Sequence, residues 1–100
     1  MKFQIQDNAS DRVVVMTGSF DFSDSAAVKD VVDQMSDLNG KDCVLDLEKL
    51  ETIDSAGLGM IILMNDAAVD NDAVLRVRGA VGQVRRMLDV SNFGEIVEIE

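Results

Sequence analysis

The segment IDSAGLGMIIL, residues 53–63, carries the most structural information in the chain. Asp54 and Ser55 come directly before an apolar run, an order that is typical of the start of a helix. Two glycines, Gly57 and Gly59, stand in the predicted first turn, where each costs about 1 kcal/mol relative to alanine. Helix propensity therefore does not explain these glycines, and their explanation has to come from packing or from binding.

The two glycines permit two interpretations. Because Gly57 and Gly59 lack side chains, another backbone can come close to this part of the helix. In the first interpretation, the helix packs tightly on the protein's own sheet. In the second, the surface of a partner lies against the start of the helix. The residues alone leave both interpretations open.

Ser55 is open to two interpretations as well. As an N-cap, its hydroxyl would accept a hydrogen bond from the free N–H groups of the first turn. As a phosphorylation site, it would place a charge of about −1.5 to −2 beside Asp54, at the positive end of the helix. Such a phosphate would not melt the helix, but it would obstruct a partner that lies flat on the glycines. The hydroxyl is expected at the surface, at the sheet edge where α/β folds bind ligands.

The residues on either side of this segment alternate between strand and helix patterns. Runs of alternating or β-branched apolar residues predict five strands, at residues 3–5, 12–17, 43–47, 73–78 and 96–99. Residues 8–11 form a turn between the first two strands, which makes a hairpin. Gly18 is expected to end the second strand, and residues 49–52 are expected to form a loop.

Three helices are predicted between these strands. The first has apolar residues at helical spacing from Val28 to Leu38, with Ser23 as its N-cap and Asn39-Gly40 as its stop. The second begins in the segment quoted above and continues to about Val69. The third is marked by three apolar residues that share one face, with Met87 beside them: Val81, Val84 and Leu88.

The predicted order is β-β-α-β-α-β-α-β, which indicates a single α/β domain over residues 1–100. Alternating strands and helices form parallel sheets through right-handed crossovers. Only the first strand is expected to run antiparallel to its neighbour. The fold class is therefore α/β, with a mostly parallel sheet and one antiparallel N-terminal strand.

The charge and the cysteine content narrow the class of protein. The chain has 19 acidic and nine basic residues and a formal net charge of −10, which disfavours binding to nucleic acid and to anionic membranes. The only cysteine, Cys43, lies in the apolar run CVLDL and is expected in the core, which suits a reducing compartment.

The first ten residues do not resemble a signal peptide, and the longest uncharged apolar stretch, residues 56–64, is too short to span a bilayer. We expect a cytoplasmic protein.

Several kinds of active site are absent from the sequence. The chain contains no histidine, so Ser/His/Asp and Cys/His nucleophile pairs cannot form within it. No GxxxxGK[ST] phosphate loop occurs, which leaves nucleotide binding without a motif. Asp46 and Asp54 are eight residues apart, and we interpret Asp46 as an anchor for the following loop. We predict neither catalysis, nor a cofactor, nor a metal site.

Residues 44–64, VLDLEKLETIDSAGLGMIILM, resemble a known family. The strand, the loop, the DSAGLG motif of residues 54–59 and the apolar helix occur in the order found in the STAS domain. Within that family, the sequence is similar to the anti-sigma factor antagonists of bacterial partner-switching systems. The segments GSFD, residues 18–21, and RGAVGQVRRMLDVSNFGEIVEI, residues 78–99, extend the resemblance over nearly the whole chain. Phe20 stands where the family usually has a smaller aliphatic residue, which we attribute to core packing.

The resemblance implies a function as a binding module that is switched by phosphorylation. The unphosphorylated domain would bind an anti-sigma factor that is also a serine kinase with a histidine-kinase-like ATPase fold. That kinase would phosphorylate Ser55, and binding would then be lost. A serine phosphatase would remove the phosphate and restore binding. The strong acidity leads us to expect a basic surface on the kinase. The partner-binding residues implied by the resemblance are Asp21, Asp54, Ser55, Ala56, Gly57, Leu58 and Gly59.

The resemblance also leaves an alternative function. Similar domains are non-switching scaffold subunits of stressosomes, of biofilm regulators or of lipid-transport ATPase complexes. In a protein of that kind, Ser55 would be structural. An exchange of Ser55 for alanine or aspartate distinguishes the two functions, because only the switch depends on the charge at this position.

Overall fold

A five-stranded sheet forms the centre of the structure, which is a computed structural model that describes residues 1–100. The strands lie in the order β1-β2-β3-β4-β5, so that every strand pairs with its neighbour in the sequence. β1 runs antiparallel to β2, and the other pairs are parallel. The bounds of the strands are Lys2–Asp7 (β1), Asp11–Phe20 (β2), Asp42–Ile53 (β3), Leu75–Arg78 (β4) and Glu98–Ile99 (β5).

Three helices cover one face of this sheet. Val14, Leu45 and Val77 are paired neighbours on β2, β3 and β4, and all three are fully buried. They belong to one core cluster with apolar residues from every helix, as expected when successive right-handed crossovers stack helices on the same side. The bounds of the helices are Ser25–Gln34 (α1), Ser55–Asp70 (α2) and Gly82–Val90 (α3).

The predicted topology is confirmed. The element order, the parallel pairs and the single antiparallel strand are those expected from the sequence. The hairpin turn is also where the sequence placed it, because the Asn8 side-chain oxygen accepts hydrogen bonds from the backbone N–H groups of Ser10 and Asp11. A side chain of this kind mimics a backbone turn and fixes the register of the hairpin.

Two predicted strand ends are wrong, for a common reason. Gly18 does not end β2, which continues to Phe20, and residues 49–52 are not a loop but part of β3. The two strands remain paired through two register shifts, and Gly18 has a φ of 90° beside the second shift. Irregularities of this kind let strands continue past residues that look like terminators.

The other corrections concern the ends of elements. Ser23 does not cap α1, since Asp24 precedes the helix and makes no side-chain cap. α1 ends at Gln34, and a 3₁₀ turn at Met35–Asp37 carries the apolar pattern on to Leu38. Asn39 and Gly40, both with positive φ, end this helical segment as predicted. The last two strands are shorter than predicted, and a 3₁₀ turn at Phe93–Glu95 precedes β5.

Two predicted core residues are confirmed. Phe20 is 1% exposed, so its size serves packing and not the surface. Cys43 is fully buried in β3, and this burial raises the pKa of its thiol to about 11. A thiol in such an environment is an inert core residue, because the reactive form is the thiolate.

Candidate partner-binding site

The candidate site forms where β2 and β3 end side by side. Phe20 and Ile53, the last residues of these strands, are register partners, so the next two residues, Asp21 and Asp54, leave the sheet together. The Asp54 N–H donates a hydrogen bond of 3.3 Å to the carbonyl oxygen of Phe20. The parallel pairing therefore brings together two of the predicted site residues that are far apart in the sequence.

Asp54, and not Ser55, is the N-cap of α2. Its backbone is extended, with φ −110° and ψ −177°, and its Oδ1 accepts a hydrogen bond of 2.8 Å from the Gly57 N–H. The interpretation of Ser55 as the cap is therefore wrong by one position. Ser55 is the first residue of the helix, is exposed, and makes no side-chain hydrogen bond. Its hydroxyl is free for chemistry or for contact with a partner.

Different structural features explain the presence of glycine at positions 57 and 59. A Cβ atom on Gly57 would lie 2.6 Å from the Ile53 Cγ1 atom and 2.8 Å from the Phe20 carbonyl oxygen, closer than real Cβ atoms approach. The glycine at position 57 is therefore explained by the first interpretation, tight packing on the protein's own sheet. A Cβ atom on Gly59 would meet nothing within 4 Å, and Gly59 is exposed. Only Gly59 remains available for the second interpretation, contact with a partner.

Asp21 is fixed by a capping box over the 3₁₀ turn Phe22–Asp24. Its Oδ1 accepts hydrogen bonds from the Ser23 hydroxyl and from the Ser23 N–H, and these bonds lower the pKa of Asp21. In return, the Asp24 Oδ2 accepts a hydrogen bond of 2.9 Å from the Asp21 N–H. The sequence prediction missed Asp24, although acidic residues three apart at the end of a strand are a capping signal.

Gln83, on the first turn of α3, was also missed. Its Nε2 donates to the Ile53 carbonyl oxygen and its Oε1 accepts from the Ile53 N–H, both at 2.9 Å. β4 pairs with β3 only as far as Asp46, so this part of β3 has no strand on that side. The amide of Gln83 takes the place of a strand there. No pattern in the sequence signals such a pairing, because it depends on how α3 meets the sheet.

The seven predicted partner-binding residues do not form one surface. Gly57 and Leu58 are both buried, and Leu58, which belongs to the core cluster, is only 8% exposed. The residues that remain accessible around the start of α2 are Asp21, Asp54, Ser55, Ala56 and Gly59. This surface, which we call the α2-start surface, is neutral to acidic and nearly flat at Gly59.

No group of three histidine, cysteine, aspartate or glutamate residues lies close enough together to hold a metal ion. None of the helices combines the length and the apolar character needed to cross a bilayer.

Comparison with known proteins assigns the chain to a family. A family model described as "Mlab, STAS domain" matches residues 3–98. A STAS-domain containing protein of Pseudomonas aeruginosa (strain UCBPP-PA14) is 28% identical over 86 residues, which are 86% of this chain and 84% of that protein. The family model alone covers nearly every residue of the fold described above.

Solved structures show the same fold at low identity. An anti-sigma factor antagonist from Mycobacterium paratuberculosis has a TM-score of 0.83 at 16% identity, with 98% of this chain and 83% of that chain covered. The Bacillus cell fate determinant SpoIIAA in its phosphorylated form has a TM-score of 0.68 at 16% identity, with 99% and 91% covered. Identities this low establish the fold alone. Because the family model spans almost the whole chain, the protein belongs to the STAS domain family.

Proposed function

We propose that the protein is an anti-sigma factor antagonist, a binding module and not an enzyme, that is switched by phosphorylation of Ser55. This proposal rests on the different roles of two adjacent residues at the start of α2. Asp54 caps the helix by accepting a hydrogen bond from the Gly57 N–H, which leaves the Ser55 hydroxyl exposed and without a partner. The structural likeness to SpoIIAA in its phosphorylated form supports the same interpretation.

A phosphate on Ser55 would be compatible with the helix. The cap satisfies the Gly57 N–H, but the N–H groups of Ser55 and Ala56 have no partner within the helix. A phosphate bonded to the first residue would lie near these donors and near the positive end of the helix dipole. Phosphorylation would therefore leave the fold intact and change only the surface.

The phosphate would act by obstructing the partner. A group with a charge of about −1.5 to −2 would add to the carboxylate of Asp54 and the nearby carboxylate of Asp21. A partner that lies flat over Gly59 would then meet a hydrated anion on an already acidic surface. The partner we propose is an anti-sigma factor that is also a serine kinase of the histidine-kinase-like ATPase type, and a serine phosphatase would reverse the modification. Such a cycle places the protein in the cytoplasm, where ATP is present.

A second candidate is a non-switching scaffold subunit. It is favoured by the family match, because the description of the model names Mlab and the STAS domain and not an anti-sigma factor antagonist. In this case the α2-start surface would still bind a partner, in a stressosome, a biofilm regulator or a lipid-transport ATPase complex. Ser55 would then be an ordinary small residue of the interface.

The experiment that separates the two functions uses the kinase encoded beside this gene or elsewhere in the same genome. The purified kinase is incubated with the protein and ATP, and the phosphate is located by mass spectrometry. We expect a single phosphate on Ser55, and no phosphate on the Ser55→Ala variant. Binding is then measured for Ser55→Ala, Ser55→Asp and, as a matched control, Ser36→Asp on the exposed 3₁₀ turn after α1.

The switch predicts that Ser55→Ala and Ser36→Asp bind like the unmodified protein and that Ser55→Asp binds poorly. If Ser55→Asp binds as well as Ser36→Asp, and no phosphate appears on Ser55, the scaffold function is the correct one.

A further inference from the structure

A surface groove lies between α1 and α2, on the side of these helices that faces away from the sheet. Its volume is about 330 Å³. Its apolar lining, which we call the floor of the α1–α2 groove, consists of Val28 and Val32 on α1 and Met60, Leu63 and Ala67 on α2. Leu63 is 57% exposed although it is flanked by apolar residues. Leu63, beside the partly buried Val32 and Ala67, gives a partner an apolar surface to cover.

The groove is continuous with the α2-start surface. Along α2, the residues Ser55, Gly59, Leu63, Asp66 and Asp70 are all exposed and follow one another at intervals of four, four, three and four. Intervals of three and four place residues in one stripe along a helix. The stripe begins at the candidate phosphorylation site and ends about 22 Å away, at a rise of about 1.5 Å per residue. A partner bound at Ser55 can therefore extend directly into the groove.

The charge of the rim indicates what kind of partner fits. Asp66 and Asp70 stand on the α2 side, and Lys29 is the one basic residue of the lining. None of these three residues takes part in the ion pairs of the structure, all of which involve other residues. A second copy of this chain would bring another charge of −10 against the same rim, and would be repelled. The rim is complementary to a partner with basic side chains.

We infer that the α1–α2 groove holds a basic amphipathic segment of the kinase, one that puts apolar side chains on the floor and lysine or arginine beside Asp66 and Asp70. This inference rests on the proposed function and extends it. An apolar face with charged flanks is the usual form of a helix that binds in a groove. The apolar contact supplies the affinity, and the charges orient the segment and speed its association.

The groove divides the interface into two halves that respond differently to phosphorylation. A phosphate on Ser55 would lie about 6 Å from Gly59 along the helix, whereas Leu63 and Asp70 of the groove are about 12 Å and 22 Å from Ser55. Interactions between exposed charges are screened over about 8 Å at physiological salt. Phosphorylation thus disrupts the contacts with the kinase at the start of α2 and leaves the contacts in the groove in place. The modified protein therefore keeps a weak and salt-sensitive affinity for the kinase.

The test measures binding of the purified kinase by calorimetry to the whole protein and to four variants. Leu63→Asp puts a charge on the floor of the groove, and Asp66→Lys reverses the charge of its rim. Val90→Asp is the control for the first, because Val90 on α3 is 72% exposed and outside the groove. Asp30→Lys is the control for the second, because Asp30 is an exposed residue of α1 that does not line the groove.

We expect Leu63→Asp and Asp66→Lys each to raise the Kd about tenfold or more, the range of an interface anchor, while both controls stay within about twofold. All four positions are exposed, so the urea midpoints should stay close to that of the unchanged protein. If Ser55→Asp abolishes binding but Leu63→Asp and Asp66→Lys do not weaken it, the groove is not part of the interface and the inference is overturned, although the proposed function stands.

Two further outcomes also overturn the inference. If no kinase of this class binds the unchanged protein, the proposed function fails and the groove loses its proposed occupant. If sedimentation shows a dimer that Leu63→Asp dissociates, the groove joins two copies of this chain and not the chain and a kinase.

Discussion

The side-chain amide of Gln83 pairs with both backbone polar groups of Ile53, at 2.9 Å in each direction. This pair fastens α3 to the last residue of β3, directly before Asp54 and Ser55. The position of the α2-start surface therefore depends on a residue 30 positions further along the chain. Since Ile53 is buried, the loss of this amide would leave backbone groups unsatisfied.

We expect Gln83→Ala to lower the free energy of unfolding by about 1–3 kcal/mol, the cost of leaving buried polar groups without partners. Urea unfolding followed by circular dichroism measures this change. Hydrogen exchange should also show faster exchange of the Ile53 amide. Gln34→Ala is the matched control, because the Gln34 side chain is exposed and makes no hydrogen bond, while its backbone oxygen, which accepts from Arg12, is retained. Equal losses in the two variants would contradict the pairing.

The cap of α2 gives a prediction that separates two adjacent residues. Asp54→Ala removes the acceptor for the Gly57 N–H and should cost about 1 kcal/mol of stability, the usual value of an N-cap. Ser55→Ala removes no hydrogen bond and should change the stability by less than about 0.5 kcal/mol. Thermal or urea unfolding of both variants measures the difference. Asp54→Asn is the control that retains a capping oxygen, and a larger loss for Ser55→Ala than for Asp54→Ala would disprove the assignment.

The two glycines of α2 should respond to alanine in opposite directions. In Gly57→Ala, the new methyl group meets Ile53 and the Phe20 carbonyl, and overpacking of this kind costs about 1–3 kcal/mol. In Gly59→Ala, the methyl group points into open space, and the higher helix propensity of alanine should add up to about 1 kcal/mol. The free energies of unfolding from urea titrations test both signs.

The same pair of variants also tests the proposed function. If a partner lies flat over Gly59, then Gly59→Ala should be more stable than the unchanged protein and yet bind the kinase more weakly. Unaltered binding by Gly59→Ala would remove Gly59 from the interface.

Asp21 gives a prediction for the dependence of stability on pH. Hydrogen bonds from the Ser23 hydroxyl and N–H lower the pKa of Asp21 below its ordinary value of 3.8. A carboxylate with a lowered pKa contributes stability above its ordinary pKa and loses that contribution as the pH falls below it. The free energy of unfolding should therefore decrease as the pH is lowered below 3.8, with Asp7, whose pKa Arg12 lowers, contributing in the same range.

The control for this prediction is Asp21→Asn, because asparagine caps as well as aspartate but does not titrate in this range. Below pH 3.8 the variant should lose stability less steeply than the unchanged protein. Parallel pH profiles would show that Asp21 is not responsible.

The topology could be read from the sequence because it depends on periodicity. The spacing from Val28 to Leu38 indicates which face of α1 is buried, and the apolar run from Cys43 to Leu47 indicates a strand of the core. The ends of β2 and β3 could not be read in this way. They depend on pairing across two register shifts, and neither Gly18 nor the polar residues of 49–52 show by themselves that a partner strand continues beside them.

The start of α2 was located correctly from the sequence, but its cap was assigned to the wrong residue. The motif of residues 54–59 places a helix start, and the structure confirms that start at Ser55. The sequence does not say which of two adjacent polar residues turns its oxygen to the Gly57 N–H, because both aspartate and serine are good caps. It also treats Gly57 and Gly59 alike, although one faces Ile53 and the other faces solvent.

The cap formed by Asp54 has a consequence for the lifetime of the protein. Cellular proteases act on the fraction of molecules that is open, which the free energy of unfolding sets. Because Asp54 caps the helix whether or not Ser55 is modified, and a phosphate on Ser55 would lie near free N–H groups, the proposed modification would not make the protein open more often or be degraded faster. A fall in the amount of the modified form would then report the phosphatase and not proteolysis.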